Sequence, residues 1–263
     1  MIQEHNHSAI DHLEELRKRI LFSLIWVSLF SILCFCFSDI LMKWMTRPIE
    51  GSVQSLYFLT PYEAFLTKMK LALIAGVVLS LPVIFAQLWA FIGPGLYPNE
   101  KKEISPLILL ATVLFIGGVL FAYFMVLPFA LNFFLGFRSE TLAPMISIGS
   151  YVSFFSSILI SFGVVFDIPV IVIGLISTGI LNAAYLASQR KYIILGAFII
   201  AAILTPTVDM ITQCMLAFPL WFLFELSIVL GRAIEQKKIL GYRHKNSRLS
   251  PKIPMSTKGE SKQ

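Results

Sequence analysis

The strongest constraint on this chain is a series of long apolar runs separated by short connections that carry most of its charge. A bilayer core about 30 Å thick needs roughly 20 apolar residues of helix at 1.5 Å rise per residue. Six segments meet or approach that length: Ile20 to Phe37, Leu71 to Ile92, Leu107 to Leu131, Val152 to Ile176, Tyr192 to Leu204 and Met210 to Leu230. Hydrocarbon offers no water to backbone amides, so runs of this kind are helices. Composition agrees, with 57% hydrophobic residues, 14% charged and a mean hydropathy of +0.81, against about 45–50% apolar content in soluble domains. The expected fold is an all-α polytopic membrane protein with six transmembrane helices.

Charge sets the orientation. Arg17, Lys18, Arg19, Lys101, Lys102, Arg190, Lys191 and the basic run after Arg232 fall at the termini and after runs two and four. Lys43, Arg47, Lys68, Lys70 and Arg138 fall after runs one, three and five. The richer set belongs in the cytosol by the positive-inside rule, which puts both termini there. The net charge of +6 is distributed along these span edges and forms no separate basic domain, which argues against a nucleic-acid partner. No small-x-small site closes the first run before Asp39, so it reads as a retained span instead of a cleaved signal. The organisation expected is a cytosolic amphipathic segment over 1–19, a membrane domain over 20–232 and a basic cytosolic tail over 233–263, too polar to bury a core and read as disordered.

Five of the six runs carry irregularities. Tyr192 to Leu204 holds only 13 residues before Pro206, about 20 Å of helix, so it must thin the bilayer or be shielded by protein. Pro82, Pro128, Pro169 and Pro219 interrupt runs two, three, four and six and should bend them. Gly118 and Ala122 form a small-xxx-small pair suited to close helix contact.

No enzyme constellation and no cofactor motif is present. "GLISTG" from Gly174 to Gly179 has phosphate-loop glycine spacing, but Ile180 and Leu181 stand where Lys and Ser/Thr are required. His5, His7 and His12 lack the cysteine or carboxylate partners of a metal site. Cys34, Cys36 and Cys214 lie inside apolar runs and read as structural thiols. The informative polar groups are acids. Asp167 in "GVVFDIPV" and Glu225 in "WFLFELSI" lie within spans, where an ionisable group costs at least about 2.5–3.5 kcal/mol and so must face an interior, a wet cavity or a partner. Glu225 stands near enough to the cytosolic end to reach toward Arg232. In "DHLEELRKRI", Leu13, Leu16 and Ile20 make one apolar stripe while Glu15 and Arg19 can pair at i,i+4. "LYPNEKKE" sets Glu100 and Glu103 among lysines; orientation explains the lysines but not the acids.

Five stretches in register with the six runs closely resemble the TatC family, the multispanning receptor subunit of the twin-arginine protein translocase. They are "HLEELRKRI", "FLTPYEAF", "WAFIGPGLYPNEKK", "SFGVVFDIPV" and "ILTPTVDMITQ", covering the chain from Asp11 to Arg232. The resemblance implies a concave, glove-like six-helix bundle in the bacterial inner membrane that exports folded proteins using the proton-motive force. It implies twin-arginine signal peptides, TatA/TatB-like single-span subunits, further copies of the chain and the bilayer as partners. By the same resemblance Glu15, Leu16, Arg17, Phe91, Glu100 and Lys101 match the signal-peptide site, and Thr205, Asp209 and Gln213 match the partner-subunit contact. The family's intramembrane acid, usually glutamate, is Asp167 here, one methylene shorter. Arginine's planar fork meets a carboxylate bidentately and lysine's ammonium does not, which suits two rim glutamates to reading an arginine pair. A small-solute transporter coupled through Asp167 is the alternative reading. Such folds usually repeat broken helices in two halves, and runs one to three hold no counterpart of "FDIPV".

Overall fold

The structure, a computed structural model, describes residues 2–51, 55–92, 104–137, 139, 144–177, 181–205 and 209–249. It is built from helices; among the described residues the β contacts are isolated bridges, such as that between Tyr57 and Ser147.

Helix α1 (Ile2–Cys36) is continuous, so the amphipathic segment and the first apolar run are one rod of 35 residues. It leans on α3 (Glu63–Ile92) and on little else. The two backbones approach closely at Gly76, where a Cβ would lie 2.6 Å from the backbone nitrogen of Ser31. Only glycine admits that spacing. Most of α1 remains open, including Leu13, Ile25 and Ile32. This is the behaviour of a helix whose apolar surface faces lipid or partners.

Between α1 and α3, helix α2 (Ser38–Thr46) and a 3-10 turn (Arg47–Ile49) send Met45 and Ile49 into the core. The third span is α4 (Ile104–Phe121), a wide π turn (Ala122–Val126) and α5 (Leu127–Leu135). Leu127 N–H reaches back five residues to Ala122, immediately before Pro128, which has no N–H to give. The proline bend expected there thus takes the form of a π bulge.

The fourth span is α6 (Ile148–Phe166) followed by α7 (Ile168–Ser177), broken at Asp167 two residues before Pro169. It is the centre of the molecule: 67% of it is buried within the chain, against 11% of the first span. α6 packs on α4 and α3, and α7 packs on α10 (Met210–Leu249). The Gly118 and Ala122 pair performs as expected. A Cβ on Gly118 would meet the Phe162 carbonyl of α6 at 2.6 Å, and Ala122 is fully buried. The contiguous core runs through Val126, Leu127, Val152, Val165, Ala201 and Leu216. With the core on that side and the α1–α3 arm on the other, the six spans form a concave, glove-like bundle.

Helix α8 (Ala183–Ser188) is a short element capped by Asn182, whose Oδ1 accepts from Ala184 N–H at 2.7 Å. Helix α9 (Arg190–Leu204) has 15 residues, about 22 Å, and is the short span the sequence announces. Among the described residues five helices have the length and apolarity to cross a bilayer, and α9 is the sixth by position. One expectation changes. α10 continues as helix to Leu249, so the first part of the segment placed in a tail without structure extends the last span. Its run "AIEQKKIL" is rich in residues that favour helix, and propagation from an existing helix avoids the cost of a new nucleus.

Candidate functional site

The bundle has an inner end, which charge asymmetry assigns to the cytosol, and an outer end. Polar groups gather at both, and one acid lies between them.

At the inner end, α1 and the last turns of α3 form one surface. Arg19 donates from Nε and Nη2 to Oε1 of Glu15, at 3.0 and 2.5 Å, and from Nη1 to Oε1 of Gln87 on α3 at 3.3 Å. Both members of the ion pair are partly shielded. One turn closer to the N-terminus, the His12 ring stacks on Phe91 with centroids 4.3 Å apart. Phe91 and Glu15 are therefore brought to the same α1–α3 face. Leu16 is half-buried there and Arg17 is exposed. The polar pair faces α3, while Leu13 and Ile20 of the apolar stripe point away from the bundle. A soluble helix would do the reverse; here the outside is lipid or partner surface. Glu100 and Lys101 lie outside the described residues.

Asp167 is 8% exposed, and its Oδ1 has no hydrogen-bond partner among the described residues. Its backbone works instead: the carbonyl accepts from Val170 N–H at 3.0 Å and from Ile171 N–H at 3.2 Å, starting α7. Glu225 is paired with Arg190 at the beginning of α9, across the α9–α10 contact. The partner anticipated from the sequence was Arg232; proximity across the fold outweighs proximity along the chain. His12 is engaged with Phe91, and the described residues hold no cluster of three potential metal ligands.

Thr205, Asp209 and Gln213 come together at the outer ends of α9 and α10. Thr205 Oγ1 donates to Ala201 O at 2.9 Å, Gln213 Nε2 donates to Phe198 O at 3.1 Å, and Asp209 accepts from Thr212 N–H at 2.7 Å. Asp209 is thus an N-cap of α10. Ser161 on α6 donates to Leu204 O at 2.9 Å and ties this corner to the central span.

Several outer-end residues are not in the sequence-derived set. Glu63 accepts from Leu59 N–H at 2.6 Å and Thr60 N–H at 3.4 Å, and across the fold from Gly149 N–H at 2.8 Å. It caps α3 and fastens the α2–α3 connection to the start of α6. Thr60-x-x-Glu63 is a capping-box spacing, so half of this role was legible. Tyr151 donates to Met45 O at 2.8 Å and Tyr123 donates to Trp44 O at 2.8 Å. Lys68 bonds Asp39 at 2.6 Å. That lysine holds the Asp39 carboxyl below the usual aspartate range.

An arm of two long apolar helices beside a buried, broken apolar span defines a multi-pass membrane protein. The family model described as "Sec-independent protein translocase protein (TatC)" matches residues 11–219. The chain belongs to the TatC family. It is 40% identical over 236 residues to the TatC protein of Carboxydothermus hydrogenoformans, covering 90% of this chain and 97% of that one. It is 39% identical to that of Aquifex aeolicus, covering 87% and 96%. A solved structure described as that of the twin-arginine translocase receptor TatC superposes with a TM-score of 0.74 at 39% identity, covering 85% of this chain and 99% of that one. A translocase family, and not an enzyme family, is what the chain joins, and the small-solute transporter reading gives way to it.

Proposed function

We propose that this chain is the signal-peptide receptor and core subunit of a twin-arginine translocase in the bacterial inner membrane, exporting folded proteins at the expense of the proton-motive force. The α1–α3 face at the inner end is the docking surface. Glu15, together with Glu100, accepts the guanidinium groups of the arginine pair, and Leu16, Arg17, Phe91 and Lys101 border them. The observation that carries this reading is that Glu15 already receives an arginine fork, from Arg19, beside an aromatic ring. A carboxylate oxygen that accepts from both Nε and Nη2 of one arginine supports the reading that Glu15 can take another.

Thr205, Asp209 and Gln213 form the corner where single-span partner subunits dock, and short α9 thins the bilayer beside it. Asp167 serves transport, since an acid within a span is retained at a cost. Purified receptor should co-elute with a folded precursor bearing a twin-arginine signal, and should not co-elute with the twin-lysine form. Asp167→Leu should retain precursor and lose export from vesicles. Absence of co-elution would contradict the receptor assignment; wild-type export by Asp167→Leu would contradict the role given to that acid.

A further inference from the structure

The inner-end geometry raises a question that a vacant receptor site does not: the glutamate meant for a cargo arginine is already holding one. Arg19 spans three groups at once, with Nε and Nη2 on Glu15 and Nη1 on Gln87 of the neighbouring helix. Its backbone carbonyl also accepts from Ser23 Oγ at 3.0 Å. Arg17 is exposed, and Lys18 pairs with Glu14 at 2.9 Å on an exposed face. Among the described cations of this segment, Arg19 is the one directed at the docking carboxylate.

From this we infer that Arg19 is an internal stand-in for the cargo arginine, capping Glu15 in the empty receptor and leaving it for Gln87 when a signal peptide docks. This rests on the reading of Glu15 as a docking residue. The exchange conserves chemistry: one guanidinium leaves the carboxylate as another arrives. Gln87 is suited to retain the departing group because its amide oxygen is a neutral acceptor. It can hold Arg19 on α3 without competing for the peptide.

A competing internal ligand has a distinctive thermodynamic signature. Removing it raises the affinity of every ligand for that carboxylate by the same factor, because it acts only on the free receptor. An i,i+4 pair of this type, partly shielded and braced by Gln87, should account for about twofold in affinity, at the upper end for such pairs. The twin-arginine to twin-lysine ratio should not change, since discrimination comes from the fork at Glu15.

The test is binding of a synthetic twin-arginine signal peptide and its twin-lysine counterpart to the full-length receptor in nanodiscs. Arg19→Gln should raise both affinities by about twofold, and Arg19→Lys, which keeps the charge but loses the fork, should raise them by less. Lys18→Gln removes an equal charge one residue away and should leave them near wild type. In the Glu15→Gln background, Arg19→Gln should give no gain. Equal gains from Lys18→Gln and Arg19→Gln, or a gain that persists without the Glu15 carboxylate, would overturn the cap. So would a loss of affinity in Arg19→Gln and Arg19→Lys alike. If Glu15→Gln alone binds both peptides as wild type does, the docking role of Glu15 fails first and the cap falls with it.

Discussion

The two ends of the bundle are fastened by different chemistry. At the outer end, most of the ties across long stretches of sequence run from side chain to backbone, with Lys68 to Asp39 and Lys70 to Ser153 as side-chain exceptions. Glu63 holds Gly149 N–H, Tyr151 holds Met45 O and Tyr123 holds Trp44 O, while backbone pairs with backbone where Tyr57 bridges Ser147. At the inner end, the ties that join one span to another run from side chain to side chain, Arg19 to Gln87, His12 to Phe91 and Arg190 to Glu225, and the Arg19 to Glu15 pair lies beside the first of them. A bond to backbone fixes the path of the chain, and breaking it strands a group that cannot leave. A bond between side chains can be exchanged with a ligand of the same chemistry while the helices stay where they are. The outer end is accordingly a scaffold and the inner end a surface open to trade.

The comparison can be broken in the middle of the molecule first. Gly118→Val places atoms where the Phe162 carbonyl already stands 2.6 Å from an ideal Cβ, with Phe166 at 2.8 Å. Overpacking a close backbone contact costs about 1–3 kcal/mol. This variant should show the largest fall in thermal stability in detergent and lose binding and scaffold together. At the outer end, Tyr151→Phe removes a hydroxyl from a side chain that is 2% exposed and leaves Met45 O without its donor. A loss of about 1 kcal/mol is expected, with signal-peptide affinity unchanged. If affinity fell as far as stability, the two ends would not be separable.

The smallest effect belongs to an exposed outer-end ion pair between side chains. Asp39 is charge-assisted by Lys68 and its pKa is lowered in the fold. A depressed carboxyl contributes stability that is present above its ordinary value, near 3.9, and is lost as pH falls through the folded value. The pair is solvent-accessible, so its contribution is modest and falls with salt. Wild type should therefore lose slightly more stability than Asp39→Asn between about pH 5 and pH 3, read as melting temperature at low salt.

Legibility in the sequence follows the same division. Apolar run length gave the six spans, the short α9 included, because hydrocarbon thickness fixes helix length. The Glu15–Arg19 pair was readable because helix periodicity alone brings positions four apart together. The contacts of Tyr151 with Met45, 106 residues apart, and of Arg190 with Glu225, 35 apart, depend on how spans pack, and no local pattern encodes them. The α1 stripe showed which residues share a face but not which way that face turns, since lipid and protein interior are both apolar. Asp167 announced itself by cost, whereas the break at its backbone needed the fold to be seen.

The central claim is that rim carboxylates at the inner end read an arginine pair. It is tested most directly by titrating a twin-arginine signal peptide against wild type, Glu15→Gln, Glu100→Gln and the double variant in nanodiscs, at low and at physiological salt. Each single substitution keeps side-chain size and removes one charge-assisted acceptor. Each should weaken binding by roughly tenfold, as loss of about 1.4 kcal/mol implies. The double variant should bind the arginine and lysine peptides alike, and melting temperatures should stay at the wild-type value. Equal affinity across all four proteins would contradict the account and return these glutamates to the status of solvated acids at a membrane edge.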